Sequence, residues 1–209
     1  MTRTLLSPGS ADALLFDLGR VVLDIDFSKV VACWAGHAGC EPAHLVGRFG
    51  RDDIYQRHET GEISDAEFFA GLRVSLGVTL SDTQLLEGWN AIFAGEMPGI
   101  AQLLARAALR LPLYAFSNTN SPHVDYFSQR YADVLGHFRE MFLSSSIGLR
   151  KPDAQAYDHV VNAIGVPAGR IVFFDDLAEN IEGARERGLI AVHVTSPDDV
   201  AKALAALGI

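Results

Sequence analysis

Short apolar runs along this chain end abruptly in polar residues. Three such runs, each with the polar residues that follow it, are 13–16 with Asp17, 113–116 with Ser117 and Asn118, and 171–174 with Asp175 and Asp176. A short continuous apolar run bounded by turn-forming residues is typical of a strand buried on both faces, as in a parallel sheet. We therefore expect the polar residues to lie at the carboxyl edge of one sheet, where open α/β folds bind ligands. An ordinary turn after residue 16 is the alternative for Asp17.

Helical patterns alternate with these strands in the second half of the chain. The further predicted elements are strands over residues 140–144 and 190–194, and helices over residues 97–110 and 154–164. Another helix follows Asn118, with Ser121 as its N-cap and Pro122 at its first position. Right-handed crossovers between such elements give a parallel sheet. The sequence therefore predicts an α/β fold, a Rossmann-like parallel sheet with helices on both faces.

Residues 28–94 interrupt the alternation, because they are almost wholly helical in pattern. The predicted helices are 29–36, 41–49, 52–58, 64–76 and 81–93. Ser64 with Glu67 and Ser81 with Gln84 have the spacing of capping boxes. Residues 21–26 alternate as a short extended flap would. We predict a core of residues 1–20 and 97–209 and, inserted between its parts, a flap and helical cap of residues 21–96.

Composition narrows the class of protein. The 209-residue chain has a net charge of −9, which disfavours a surface that binds nucleic acid but not a small anionic substrate. No run approaches the roughly 20 apolar residues that span a bilayer, and the first residues lack a signal-peptide pattern, so we expect a cytoplasmic protein. Cys33 and Cys40 have no metal-type spacing to other cysteines and are expected to be buried thiols. The oligomeric state stays open.

The polar residues at the strand ends, together with Lys151, occur in the order acid, hydroxyl, cation, acid pair. This set resembles the haloacid dehalogenase superfamily of hydrolases over nearly the whole chain, and among its members most resembles sugar phosphatases of the α-D-glucose-1-phosphatase type. The segments that carry the resemblance are Phe16-Asp17-Leu18-Gly19, Leu23-Asp24-Ile25-Asp26-Phe27, His58-Glu59, Gly61-Glu62-Ile63-Ser64-Asp65, Ser117-Asn118-Thr119-Asn120, Arg150-Lys151-Pro152 and Phe173-Phe174-Asp175-Asp176.

The resemblance implies a role for each of these polar residues. Asp17 would be the nucleophile, Ser117 and the amide of Asn118 would bind phosphoryl oxygens, and Lys151 would neutralise charge. Hard oxygen ligands suit Mg²⁺, and the implied ligands are Asp17, the carbonyl of Gly19, Asp176 and Asp175. Asp176 is the stronger candidate of the acid pair, and Asn180 stands where many members place a further Asp.

A helical insert covers the active site and selects the substrate in this superfamily. Arg48, His58, Glu59 and Trp89 are the candidates for facing such a cleft, with ordinary helix surface or core as the alternative for each. The first three are predicted to bind the substrate.

Gly19 departs from the superfamily pattern, because most of its phosphatases carry a second Asp there as general acid and base. Dehalogenases also lack that acid, since halide leaves without a proton. The pair Asp175-Asp176 favours phosphate transfer, which needs metal carboxylates where dehalogenation does not. The sequence therefore predicts a Mg²⁺-dependent phosphatase of a small phosphorylated metabolite, with a sugar phosphate favoured, that acts through an aspartyl-phosphate on Asp17. A 2-haloacid dehalogenase and a non-catalytic binding protein of the same fold are the alternatives.

Overall fold

The computed structural model describes residues 6–50 and 52–209, so residues 1–5 of the predicted core and residue 51 of the predicted cap lie outside the described residues. The strands are β1 (Ala13–Phe16), β2 (Leu23–Ile25), β3 (Phe93–Glu96), β4 (Leu113–Ser117), β5 (Glu140–Leu143), β6 (Ile171–Asp175) and β7 (Ile190–His193). The helices are α1 (Phe27–Ala38), α2 (Asp53–Glu59), α3 (Asp65–Leu76), α4 (Asp82–Asn90), α5 (Ile100–Ala108), α6 (Ser121–Arg130), α7 (Ala132–Leu135), α8 (Ser144–Ile147), α9 (Ala154–Ile164), α10 (Ala178–Glu186) and α11 (Pro197–Ala206).

Five strands form one parallel sheet in the order β5-β4-β1-β6-β7. β1 is central, because Leu15 pairs with Tyr114 of β4 on one side and with Phe173 of β6 on the other. The chain moves outward from β1 to β4 and β5 and then returns to β6 on the opposite side. The carboxyl end of β1 is therefore the point where the strand order reverses, which is where such sheets bind ligands.

Helices cover both faces of this sheet, so the predicted fold class is confirmed. Side chains of β1 alternate between two apolar layers. Leu14 and Phe16 pack with residues of α5, α6 and α11, whereas Ala13 and Leu15 pack with residues of α9 and α10. All four side chains are fully buried, so the end of β1 has a fixed position.

Helices α1 to α4 enclose a third apolar cluster, distinct from the two layers that cover the sheet. At its centre the rings of Trp34 and Trp89 are stacked, with 6.1 Å between centroids. Strands β2 and β3 pair as an antiparallel ribbon that leads into and out of this helical segment. The extended flap predicted for residues 21–26 thus has β3 as its partner strand. Val21, Val22 and Leu23 pack with the cluster of the sheet.

The start of two cap helices follows the prediction. Ser64 and Ser81 both form capping boxes, with Glu67 and Gln84 as the reciprocal partners. Each box satisfies backbone N–H groups that the first turn leaves without intrahelical acceptors.

Three predicted boundaries were wrong. Residues 41–49 form only the short 3₁₀ turn Pro42–His44, and Gly47, with a left-handed φ of 84°, cannot continue a helix through the predicted range. Helix α4 ends at Asn90, before the chain enters β3. The N-cap of α6 is Asn120 rather than Ser121, since the Asn120 side chain accepts the backbone N–H of His123. Within the described ranges no helix has the length and apolar character that crossing a bilayer requires.

Candidate active site

Asp17 is the first residue beyond β1, at the reversal point of the sheet. Its backbone N–H donates to the carbonyl of Phe174 at 2.8 Å, so the residue continues the pairing with β6. The Leu18 N–H donates to Asp17 Oδ1 at 2.8 Å, and Lys151 Nζ lies 2.9 Å from the same oxygen. Because both contacts involve Oδ1, the orientation of the carboxylate is fixed. Burial raises the pKa of Asp17 to about 7, against the opposing effect of Lys151.

Lys151 is a buried cation held between two carboxylates. Its Nζ lies 2.7 Å from Asp175 Oδ2 and donates to the carbonyl of Phe116 at 2.8 Å. Burial alone would lower the pKa of Lys151, but the charges of Asp17 and Asp175 outweigh burial and the pKa is raised. The ammonium group therefore stays charged beside Asp17.

The side chain of Asn118 locks the backbone of Lys151. Asn118 Nδ2 donates to the Lys151 carbonyl at 2.8 Å, and the Lys151 N–H donates to Asn118 Oδ1 at 2.9 Å. Ser117, at the end of β4, is buried and lines the same cavity as Asp17. The structure thus brings together the four predicted residues Asp17, Ser117, Asn118 and Lys151, and it gives the side chain of Asn118 a positioning task.

Asp175 differs from its prediction as a metal ligand. Its side chain is fully buried, and its two oxygens accept from Lys151 Nζ, from the Leu177 N–H at 2.8 Å, and from Asn180 Nδ2 at 2.9 and 3.0 Å. A metal ion would have to displace these donors. Asp175 therefore serves to hold Lys151 and Asn180, and it is not among the residues that line the cavity.

Asp176, unlike Asp175, is directed toward the cavity, and among the described residues few hydrogen-bond donors lie near its carboxylate. Its carboxylate lines the cavity, and its nearest cation is Arg20, with 4.0 Å between Nη1 and Oδ2. Burial raises the pKa of Asp176, and the neighbouring charge of Asp175 raises it further. Two neighbouring carboxylates that repel each other favour a bound cation, because a positive charge would offset their repulsion.

The oxygen donors at this position fit a hard divalent cation. Carboxylate oxygens of Asp17, Asp175 and Asp176 lie within 4.8 Å of one another. Asn180 Oδ1 is buried and has no hydrogen-bond partner among the described residues, although its Nδ2 is bound to Asp175. A buried acceptor without a partner, on a residue that lines the same cavity as Asp17 and Asp176, is one that a bound cation or its water could satisfy. Asp17, Asp176 and Asn180 therefore fit Mg²⁺, with the backbone of Gly19 on the same cavity wall.

The cavity over Asp17 has a volume of about 140 Å³ and lies between the sheet and the helical segment. Its wall on that side is mainly apolar, and its floor is polar. The apolar and aromatic side chains that line it are Leu18, Leu23, Ile25, Phe27, Tyr55, Ile92, Phe93, Phe127 and Leu177. This combination of a polar floor and an apolar wall suits a small substrate with a charged end and a less polar body.

Glu59 is the predicted cap residue that does line the cavity. Its carboxylate Oε2 accepts from Arg150 Nη2 at 3.1 Å, and only 5 % of its side chain is exposed. The Ser144 hydroxyl donates to the Glu59 carbonyl at 2.6 Å and accepts the Thr119 N–H at 2.8 Å. These contacts fix the end of α2 against the loop that follows β4.

Arg48 and His58 differ from their predictions, because neither lines the cavity. Arg48 Nη1 donates to the Leu76 carbonyl at 3.1 Å and so ties a loop to the end of α3. His58 is buried, its ring stacks on Phe68 at 4.1 Å, and its Nε2 lies 2.8 Å from Asp65 Oδ1. Burial lowers the pKa of His58. Both residues stabilise the helical segment instead of meeting the cleft.

Trp89 belongs to the apolar cluster of α1 to α4 but also reaches the sheet domain. Its Nε1 donates to Asn120 Oδ1 at 3.1 Å, and His123 Nε2 lies 3.1 Å from the Trp89 carbonyl. The His123 ring stacks on the Trp89 indole at 4.6 Å, and burial lowers the pKa of His123 to about 3. Asn120 and His123 are cavity residues that sequence reasoning missed, because the local pattern after Asn118 marks only exposed amides and a helix cap.

Comparison with known proteins adds the family. A family model described as haloacid dehalogenase-like hydrolase matches residues 11–188. The chain belongs to the haloacid dehalogenase-like hydrolases. The resemblance noted from the strand-end residues is therefore confirmed, and the protein is a hydrolase of this family.

Relatives of this haloacid dehalogenase-like chain include phosphatases. The phosphatase MT3486 of Mycobacterium tuberculosis is 30% identical over 95% of this chain and 96% of the relative. The D-ribitol-5-phosphate phosphatase of Bacteroides thetaiotaomicron is 23% identical over 84% of this chain and 87% of the relative. By contrast, the chain spans 35% of the length of drimenol cyclase drtB from Aspergillus calidoustus, to which it is 25% identical.

A solved structure shares the fold. A haloacid dehalogenase family enzyme from Bacteroides thetaiotaomicron, in complex with magnesium and inorganic phosphate, superposes with a TM-score of 0.78 and 24% identity. The match covers 89% of this chain and 95% of that chain. The arrangement of sheet and inserted helices is thus that of an established hydrolase fold.

Proposed function

We propose that this hydrolase is a Mg²⁺-dependent phosphatase of a small phosphorylated metabolite, with a sugar phosphate as the favoured class, and that it acts through an aspartyl-phosphate on Asp17. The observation that carries the proposal is that carboxylate oxygens of Asp17 and Asp176 lie within 4.8 Å of each other, with the buried cation Lys151 next to Asp17. The unpartnered Asn180 Oδ1 belongs to a residue that lines the same cavity. The phosphatases among its relatives, and the magnesium and phosphate bound by the similar solved structure, support it.

Mg²⁺, when bound, would neutralise charge on the phosphoryl oxygens and on the attacking carboxylate. Because Asp17 Oδ1 is held by Leu18 N–H and Lys151, we assign attack on phosphorus to Oδ2. The phosphorus–oxygen bond to the alcohol breaks as the Asp17–phosphorus bond forms. Lys151 and the Ser117 hydroxyl hold the transferring group, which they meet on the floor of the cavity.

Hydrolysis of the aspartyl-phosphate returns the enzyme to its starting state. Water attacks phosphorus and the bond to Asp17 breaks, so Asp17 regains its carboxylate and inorganic phosphate leaves with the protons of that water. The departing alkoxide of the first step must take a proton, yet Gly19 offers no acid where the phosphatases of the family usually carry one. The chain is therefore suited to leaving groups that need little proton assistance, such as an anomeric oxygen.

Release of inorganic phosphate from a panel of sugar phosphates tests the proposal. We expect release in Mg²⁺, loss of release in EDTA, and recovery on adding Mg²⁺. Asp17→Asn should abolish turnover while the melting temperature is retained, because the amide has the same shape and avoids the cost of a buried charge. Asp24→Asn, on the exposed ribbon strand β2, is the matched control and should keep its activity.

Three outcomes would contradict the proposal. Retained turnover in Asp17→Asn would exclude the covalent mechanism. Metal-independent release of halide from 2-haloacids, without release of phosphate from any of the esters, would identify a dehalogenase. Failure of both reactions, with the fold intact, would point to the non-catalytic protein.

A further inference from the structure

A second group of metal-ligating side chains lies on the helical segment, away from the candidate active site. One ligand atom from each of Cys33, His37 and Glu87 lies within 4.8 Å of the other two. None of the three residues lines the cavity over Asp17. The group combines a thiol, an imidazole and a carboxylate, and is therefore chemically unlike the oxygen set at the sheet edge.

Helix geometry places two of these side chains together. Cys33 and His37 are four residues apart on α1, so they lie on the same face one turn apart. Glu87 comes from α4, and its Oε2 lies 3.0 Å from His37 Nε2. The three side chains thus span the contact between two helices.

The two helices are packed closely enough to hold this arrangement. The Trp34 indole N–H donates to the Leu85 carbonyl at 3.0 Å. Gly88, next to Glu87, faces the same ring so closely that an added Cβ would lie 2.2 Å from Trp34 Cδ1. Any larger residue at Gly88 would separate the helices. The backbone positions of Cys33, His37 and Glu87 are therefore set by buried contacts.

Sulfur, nitrogen and oxygen ligands in one group favour Zn²⁺ and related ions over Mg²⁺. Three protein ligands with water in the fourth position form a usual tetrahedral zinc environment. A thiolate and a carboxylate would together balance the charge of a divalent ion. About 29 % of the His37 side chain and 63 % of the Glu87 side chain are exposed, so an ion can reach them from solvent. Burial raises the pKa of the Cys33 thiol, and Glu87 raises it further, so a bound ion must displace the thiol proton.

We propose that Cys33, His37 and Glu87 form a binding site for a divalent transition-metal ion of the zinc class, which links α1 to α4. The ion replaces the contact between His37 and Glu87 and takes Cys33 as a thiolate. The site is independent of the phosphatase reaction, because it shares no residue with the cavity over Asp17.

Cobalt titration of the full chain in saturating Mg²⁺ tests the site directly. Co²⁺ bound to a thiolate gives a near-ultraviolet charge-transfer band, and Cys33 and Cys40 are the only cysteines in the chain. We expect the band to saturate at one equivalent and to disappear when Zn²⁺ is added. Cys33→Ala should abolish the band, whereas Cys40→Ala, the matched control, should keep it. Cys33→Ser provides a second, more conservative variant whose fold is checked by circular dichroism.

The other two ligands are tested by affinity. His37→Ala and Glu87→Gln should each weaken Zn²⁺ binding at least ~10-fold in calorimetry. Zn²⁺ should raise the melting temperature of the wild type and leave that of the folded Cys33→Ser variant unchanged. The proposal is overturned if wild type shows no charge-transfer band, if the band survives in Cys33→Ser, or if Cys40→Ala alone removes it.

Discussion

Removing the carboxylate of Asp175 should cost far more stability than removing that of its neighbour Asp176. The Asp175 side chain is fully buried and pairs with the buried Lys151. Breaking a buried ion pair by deleting one partner costs about 3 to 5 kcal/mol, because the other charge stays buried with fewer partners. Asp175→Ala also leaves Asn180 Nδ2 and the Leu177 N–H without their acceptor. We therefore expect a loss of at least about 3 kcal/mol in the free energy of unfolding.

Asp176→Ala should behave differently. The carboxylate is partly exposed, and its nearest cation, Arg20, is 4.0 Å away, so the lost attraction is worth at most about 1 kcal/mol. Loss of repulsion from Asp175 offsets part of it. Asp176→Ala should instead raise the Mg²⁺ concentration needed for half-maximal activity more than Asp175→Ala does.

Urea unfolding followed by circular dichroism measures the free energy of unfolding of each variant. Initial rates at varied Mg²⁺ measure the Mg²⁺ concentration needed for half-maximal activity. For a chain of this size, a loss of 3 to 5 kcal/mol corresponds to a fall of about 6 to 20 °C in melting temperature. Asp175→Asn is the matched variant, because its amide keeps the shape and one acceptor oxygen, and it should lose less. Equal stability losses in Asp175→Ala and Asp176→Ala would refute the different tasks assigned to the two residues.

Three further predictions concern single positions. Gly19→Asp should raise rates for primary alkyl phosphates selectively, by up to ~10² to 10⁴-fold, because it adds the missing general acid. The new Cβ would lie 2.9 Å from the end of the Ile25 side chain, which can move, and Gly19→Asn is the control for side-chain size. Arg20→Gly should stabilise the fold by about 0.5 to 1 kcal/mol in urea unfolding. The left-handed φ of 57° costs a non-glycine residue roughly 1 to 2 kcal/mol, and the greater flexibility of glycine in the unfolded chain cancels part of the gain from removing that cost. Below pH 6.5, stability should fall toward pH 3 by up to about 5 kcal/mol, because the unfolded chain binds a proton at His123 that the folded chain, with a pKa of about 3, does not; His123→Gln should flatten this dependence.

Each of these has an outcome that contradicts it. A wild-type rate that hardly depends on leaving-group acidity, in single-turnover measurements of phosphoryl transfer, would mean that another acid already acts and would contradict the first prediction. An equal gain in Arg20→Ala, which keeps the strained backbone conformation, would show that the side chain and not φ is responsible. An unchanged acid profile in His123→Gln would assign the loss of stability to other groups.

The polar residues at the strand ends were predictable because the local pattern of apolar residues indicates where a buried strand begins and ends. Apolar runs that stop at Asp17, at Ser117 and at Asp175 mark the ends of β1, β4 and β6 or the residue just beyond. In a parallel sheet these ends meet at one edge, so the site followed from the class of fold. The capping boxes at Ser64 and Ser81 were predictable for the same reason, since each depends only on residues three positions apart.

The errors arose where neighbouring residues face different directions. His58 and Glu59 are consecutive in α2, where each step turns about 100°, so only one of them could face the cavity. Asp175 and Asp176 are consecutive at a strand end, yet the Asp175 side chain is fully buried among hydrogen-bond donors whereas Asp176 lines the cavity. Which one does so depends on what packs behind β6, and the sequence of β6 alone does not contain that information.

The prediction placed Arg48 at the cleft and left out β3 for a related reason. Arg48 ends near Leu76, a contact between segments far apart in the chain, and no local pattern marks it. Strand β3 is four residues long and contains Gly95, so it is too short for a periodic signal and forms because β2 lies beside it.

The separate apolar clusters have a consequence for how such an enzyme can evolve. Among the described residues, Phe93 is the one apolar side chain that packs against both the cluster of α1 to α4 and a cluster of the sheet. Substitutions inside either cluster are therefore felt mainly within it, since packing effects are short-ranged. Mutations can therefore change the cavity wall that contains Ile92 and Tyr55 while the packing that positions Asp17 and Lys151 stays the same. A descendant enzyme can in this way change its substrate specificity and keep its catalytic residues in place.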